Sequence, residues 1–177
     1  MAGNKISLQP CVIFITGLSG AGKTTIAKAL EKLLTEAGTV PVLLDGDEIR
    51  KKMALSAFDE HSRKMHNLQV GDTAAAMEKE GKIVIVALIA PYKEIREQIR
   101  KNCNNFIEIY LSASIEVCIK RDPKGLYKKA LTGEIKDFTG ISAPYHPPLS
   151  PEINIDTGVL NVEQSLQVIL DKLSSLQ

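Results

Sequence analysis

Residues 17–24 read Gly17-Leu18-Ser19-Gly20-Ala21-Gly22-Lys23-Thr24, a full match to the phosphate-binding loop pattern GxxxxGK[ST]. The pattern has a mechanism only between a strand and a helix, and both flanks are present. Residues 11–16, Cys-Val-Ile-Phe-Ile-Thr, form an apolar, β-branched run of strand type, and residues 24–34 carry apolar side chains at helical spacing. Gly17, Gly20 and Gly22 allow turns closed to residues with a Cβ and let backbone N–H groups approach phosphate oxygens. Lys23 is expected to reach the β- and γ-phosphates, and the Thr24 hydroxyl to ligate Mg²⁺. The helix starting near Lys23 points its positive end at the same anion. All eight loop residues, with Thr25, are therefore expected to hold a nucleoside triphosphate.

The chain has 177 residues, enough for one domain that buries most of its unfolded surface. Residues 1–10 read as an N-terminal extension and residues 11–177 as a single domain. With 22 Lys+Arg against 21 Asp+Glu, the molecule as a whole has no electrostatic reason to favour a nucleic acid or an anionic membrane. Cys11, Cys103 and Cys118 form neither a CxxC pair nor an even disulfide set, which suits a reducing compartment. No leader of signal-peptide type stands at the start, and no apolar run approaches about 18 residues. The expectation is a soluble, cytoplasmic protein.

Outward from the loop, strands and helices alternate. After the first helix, ended near Gly38, residues 41–44 form a short strand running into the acidic turn Asp45-Gly46-Asp47. A helix is expected over about 61–79, a buried strand over 82–90, a helix opened by Pro91, a strand over 106–111, and a helix over 115–121 capped by Ser114. A fifth strand at 152–156 and an amphipathic helix at 162–173 follow. This alternation predicts an α/β three-layer sandwich: a five-stranded parallel sheet, helices on both faces, right-handed crossovers. Residues 122–151 break the rhythm with glycine, proline, aromatics and lysines, at a length uncommon for a plain connector. They read either as a partly helical lid over the nucleotide site or as a mobile surface loop.

The loop alone does not name a reaction. No [NT]KxD motif reads guanine, and the strand at 83–89 does not end in the metal-binding aspartate of many ATPases. Asp45 and Asp47 can supply the acidic function, one beside Mg²⁺ and one accepting a proton from an attacking hydroxyl, though an Asp-Gly turn is also a common structural device. Arg50 lies one helical turn from Asp47, on the side suited to an anionic substrate.

Beyond the loop, the sequence carries Leu44-Asp-Gly-Asp-Glu-Ile-Arg50, Ile89-Ala-Pro-Tyr92, residues 121–130 (RDPKGLYKKA), Gly133-Glu-Ile-Lys136 and Phe138-Thr-Gly-Ile141. In this order and spacing the chain resembles the adenylylsulfate kinase family over about residues 11–155. The resemblance implies a P-loop kinase that uses ATP and Mg²⁺ to phosphorylate the 3′-hydroxyl of adenosine 5′-phosphosulfate, and a homodimer. It implies catalytic roles for Lys23, Asp45, Asp47 and Arg121, with Thr24 and Asp45 toward the metal. Arg121 and Lys124 would close on the ATP phosphates, Phe58 and Phe138 would sandwich the acceptor's adenine, and Arg50 and Arg63 would hold its phosphosulfate. Ile89, Ala90, Pro91, Leu126, Thr139 and Gly140 would complete the acceptor pocket, and an outlying lid lysine such as Lys136 would matter much less than Lys23.

The departures from the family pattern fall on the acceptor side. Ala90 stands where a serine is usual, which excludes a phosphoserine and leaves direct transfer. His66 stands where an asparagine is usual, and Leu68 and Gln69 where two arginines are common; residues 51–57 look one residue short. His66 is expected either to donate to a substrate oxygen or to face solvent. A same-fold kinase for another nucleotide, such as cytidine diphosphoramidate, and a nucleotide-binding protein without turnover are the competing readings.

Overall fold

The computed structural model describes residues 8–52 and 59–176. Strand β1 (Cys11–Gly17) is buried at every position, as a continuous apolar run requires in a strand covered on both faces. Around it stand β2 (Val42–Asp45), β3 (Ile83–Ala87), β4 (Phe106–Leu111) and β5 (Ile153–Ile155), all parallel, in the order β2-β3-β1-β4-β5. The helices are α1 (Lys23–Glu36), α2 (Gly46–Lys52), α3 (Glu60–Lys79), α4 (Lys93–Asn102), α5 (Ile115–Arg121), α6 (Leu126–Leu131) and α7 (Val162–Ser175).

The two-residue period of the central strands sorts the core into two halves. Cys11, Ile13 and Ile15 of β1, with Ile83 and Ile85 of β3, join Leu30 and Leu34 of α1 and Ile169 and Leu173 of α7. Val12 and Phe14, with Val84 and Val86, join Val70 and Ala74 of α3 and Ile95 and Ile99 of α4. This is the expected three-layer sandwich. Helix α3 is held to α4 at unusually short range: a Cβ built on Gly71 would lie 2.4 Å from Cγ1 of the buried Ile99.

Local chemistry sets the helix starts. Asp59 caps α3 by accepting from the Ser62 N–H, Ser114 caps α5 through Val117, and Asn161 with Gln164 forms a reciprocal capping box on α7. The third strand stops at Ala87 rather than continuing to residue 90, because the chain turns away at Leu88–Pro91 and Ala90 takes a φ of 41°. The acidic turn after β2 is the start of a helix, since Asp45 Oδ1 accepts from the N–H groups of Asp47 and Glu48. Within residues 122–151 the one helix described is α6, seated on Asp122, whose carboxylate accepts from Tyr127 and Lys128.

From β1 the chain passes to β2 and then β3 on one side of the sheet, and from β3 it crosses to β4 and β5 on the other side, so the order reverses beside β1. Ligands of such sheets bind outside the strands' carboxyl ends at that reversal.

Candidate active site

A cavity of about 890 Å³ opens at that end of the sheet. Its floor is the turn from β1 into α1. There every carbonyl from Gly17 to Ala21 accepts a hydrogen bond. Lys23 Nζ donates to Gly17 O (3.0 Å) and Leu18 O (2.8 Å), Tyr127 Oη to Ser19 O (2.9 Å), Arg121 Nη1 to Gly20 O (3.3 Å), and the Thr157 hydroxyl to Ala21 O (2.7 Å). Oxygens that would repel a phosphate are thereby engaged, with the helix N-terminus behind them. Burial pushes the Lys23 ammonium down to about 8, against the pull of Asp47. A lysine whose charge burial disfavours gains from a polyphosphate placed beside it.

Above the floor, the Thr24 hydroxyl donates to Asp45 Oδ2 at 2.6 Å, and Asp45 is only 5% exposed. Asp47, at the rim, is paired with Lys124 of the segment 122–151. Burial alone would raise the Asp47 carboxyl, but Lys124, with Lys23 and Lys51 nearby, outweighs it and holds the carboxyl below its usual value.

The opposite wall carries Arg50, Arg63, His66 and Asn67 from α2 and α3, Ile89, Ala90 and Pro91 after β3, and Leu126, Phe138 and Thr139 from the segment 122–151. Arg63 reaches across to that segment, donating to Asp137 O (2.5 Å) and Thr139 Oγ1 (3.2 Å), while its Nε lies buried without a partner. His66 is 4% exposed, so it does not face solvent. Neither ring nitrogen has a well-formed hydrogen bond. Burial and then Arg50 push its pKa below the ordinary value, more than the adjacent Gly46 backbone and Asp47 push it up. Phe138 packs edge-on against Tyr127 with ring centroids 5.0 Å apart.

Some expected residues stand elsewhere. Gly140 and Leu18 do not line this cavity. Gly140 sits at a φ of 89° against the Leu18 and Ile115 side chains, and both residues border a separate open depression near Tyr110 and Tyr145. Gly17 and Ala21 lie beneath the lining, whereas Ser19, Gly20, Gly22, Lys23, Thr24 and Thr25 form it. Phe58 falls outside the described residues. Lys136, expected to be outlying, does line the cavity.

Sequence reasoning missed Pro123, Asn67, Thr157, Leu160, Asn161, Val162 and Ser165, all in the lining. The signal for Thr157 was available, because it follows β5 as Asp45 ends β2, at the strand ends where such sheets bind ligands. Arg121 donates to Thr157 O at 2.5 Å and so ties the end of α5 to the loop after β5.

A glycine-rich loop leading from the central strand into a helix, a hydroxyl–carboxylate pair beside its lysine, and a basic segment folded over the opening define the P-loop kinases. Within that class the particular family is settled by similarity. Residues 9–156 match the family described as adenylylsulphate kinase, and the chain belongs to it. It is 46% identical to an adenylyl-sulfate kinase of Rippkaea orientalis, covering 95% of this chain and 93% of that one, and 48% identical to one of Staphylococcus epidermidis, covering 92% and 83%. Among solved structures it resembles the Mycobacterium tuberculosis APS kinase in complex with AMPPNP and APS, with a TM-score of 0.88 and 32% identity over 95% of this chain and 99% of that one. The chain is thus an ATP-dependent phosphotransferase of the adenylyl-sulfate kinase type.

Proposed function

We propose that this chain transfers the γ-phosphoryl group of ATP to the 3′-hydroxyl of adenosine 5′-phosphosulfate, with its residues divided between the two halves of the cavity. The observation that carries the reading is one continuous cavity in which Lys23 and the Thr24–Asp45 pair face Arg50, Arg63, His66 and Phe138, with Asp47 and Lys124 between them.

On the donor side Lys23 leaves the loop carbonyls for the β- and γ-phosphates, and Arg121 and Lys124 close on them from the lid side. The donor set fits Mg²⁺, which favours hard oxygens and few protein ligands beside substrate phosphates: Thr24 and Asp45 offer a hydroxyl and a carboxylate. Among the described residues no cluster of three His, Cys, Asp or Glu side chains forms a closed metal cage. When bound there, the ion neutralises charge on the transferring group.

On the acceptor side Arg50 and Arg63 suit the paired oxygens of a phosphosulfate through their planar forks, His66 adds a polar ring, and Phe138 with Phe58 offers faces for a base. Asp47, kept ionised by Lys124, accepts the proton of the 3′-hydroxyl as that oxygen bonds to phosphorus, and ADP leaves with the bridging oxygen. Ala90 has no hydroxyl, so the transfer is direct. Residues 122–151 act as the lid that excludes water. The reading includes a cytoplasmic homodimer, checked by sedimentation of the purified protein.

The test is a coupled ATP-to-ADP assay with Mg²⁺, comparing adenosine 5′-phosphosulfate with other nucleotide acceptors and weighing the product. Strong preference for the phosphosulfate with 3′-phosphorylation supports the reading. Preference for another nucleotide would assign the substitutions around His66 to a rebuilt acceptor pocket.

A further inference from the structure

The wall formed by residues 89–91 is irregular backbone, yet each of its carbonyls is held from a different part of the chain. The Thr16 hydroxyl of β1 donates to Ile89 O at 2.6 Å, Arg96 Nη1 of α4 donates to Ala90 O at 2.7 Å, and the His146 N–H donates to Pro91 O at 2.8 Å. Arg96 spans two of these ties, because its Nη2 donates to His146 O at 2.7 Å. Its Nε donates to Glu108 at 3.0 Å, which neutralises a guanidinium only 3% exposed. A threonine hydroxyl has one proton, so the Tyr145 hydroxyl, 3.0 Å from Thr16 Oγ1, is the donor of that bond. Residues 145 and 146, returning from the lid segment, are thereby fastened to the wall.

Ala90 needs the fastening. Its φ of 41° is one that a residue with a Cβ rarely holds unless its surroundings impose it. Ala90 lines the cavity; Arg96 does not.

We propose that Arg96 is a positioning residue for the acceptor. By gripping Ala90 O and His146 O with one rigid fork, it sets the acceptor wall and couples that wall to the returning segment at residues 145 and 146. Lysine cannot replace it, since an ammonium on a flexible stem does not reproduce three directed bonds at separate nitrogens. The inference rests on the acceptor side of the cavity being where the proposed function puts it.

The experiment compares wild type, Arg96→Lys, Thr16→Val and Thr16→Ser. Initial rates give KM for adenosine 5′-phosphosulfate and for ATP separately, melting temperatures report stability, and amide hydrogen exchange reports the wall. Arg96→Lys is expected to raise the acceptor KM about tenfold, the scale of a small misplacement, with the ATP KM within about twofold. Exchange at Ile89, Ala90 and Tyr92 should quicken while residues 17–24 are unchanged. Thr16→Val should shift the acceptor KM in the same direction and Thr16→Ser should restore it, which keeps the test alive if Arg96→Lys does not fold. A lowered melting temperature with both KM values unchanged, or an equal rise in both, would overturn the proposal. Faster exchange at the wall without an acceptor effect would overturn it as well. If the wild type itself ignores the phosphosulfate, the proposed function fails instead, and the same comparison is read with the nucleotide that the wild type accepts.

Discussion

Asp45 binds Thr24 with one carboxylate oxygen and the start of α2 with the other: Oδ2 accepts the threonine hydroxyl at 2.6 Å, and Oδ1 accepts the N–H groups of Asp47 and Glu48 at 2.9 and 3.2 Å. A single side chain therefore serves both the proposed metal position and the orientation of the helix that carries Asp47 and Arg50.

The two duties separate experimentally. Asp45→Asn keeps an acceptor oxygen for the cap but removes the charge, so its stability should fall by less than about 1 kcal/mol while the Mg²⁺ concentration for half-maximal turnover rises severalfold. Asp45→Ala should lose the cap as well, at about 1 kcal/mol. Mg²⁺ titrations of turnover and urea unfolding measure the two effects, and an unchanged Mg²⁺ requirement in Asp45→Asn would remove Asp45 from the metal position.

Lys23 gives a pH signature. Its pKa of about 8 in the free protein lies below the ordinary lysine value of 10.5, and nucleotide favours the protonated form. ATP binding should thus take up protons above about pH 8 and almost none at pH 6.5, which calorimetry in buffers of differing ionisation enthalpy reads directly. The sign for folding is opposite to that of a lysine gaining a partner. The unfolded chain binds the extra proton, so this group destabilises the free protein below about pH 8, and that burden is relieved as pH rises from about 8 toward 10.5.

Lysines of the proposed lid should not be equivalent to the loop lysine. Lys23→Ala should cost at least about a thousandfold in kcat/KM, since charge stabilisation carries most of phosphoryl transfer. Lys129→Ala, whose side chain is engaged with Glu134 on the exposed face of α6, should cost less than about twofold. Lys136, in the cavity lining, should fall between the two. Comparable losses at all three positions would contradict the division of roles.

The contact of α3 with α4 makes a stability prediction remote from the chemistry. Gly71→Ala puts a Cβ against Cγ1 of Ile99 with no room to yield, and should destabilise by about 1–3 kcal/mol with kcat unchanged in the folded fraction. Thermal unfolding against kcat at low temperature separates the two.

What could be read from the residues follows from the range of the forces involved. β1, β4, the Ser114 cap and the alternation were legible because apolar period and capping are local. The end of β3 was not, since nothing within residues 82–90 announces that Arg96 and Thr16 will draw the carbonyls of Ala90 and Ile89 out of the sheet. On the site, the loop with Lys23 and Thr24 was visible as a motif, whereas Leu160 and Val162 enter the cavity only because β5 pairs with β4. The burial of His66 also depends on tertiary packing, which is why the sequence left it open between a donor to the substrate and a solvent-facing residue.

Leu160, Asn161 and Val162, which open α7, line the same cavity as the loop that opens α1, although some 140 residues separate them and α7 packs against α1. During synthesis, a chain that has made the loop, residues 122–151 and four of its strands still lacks one wall of the cavity. That wall of the cavity is missing until α7 has emerged and docked. Binding of ATP therefore favours molecules in which α7 is docked over those in which it is not, and stabilises that form by mass action.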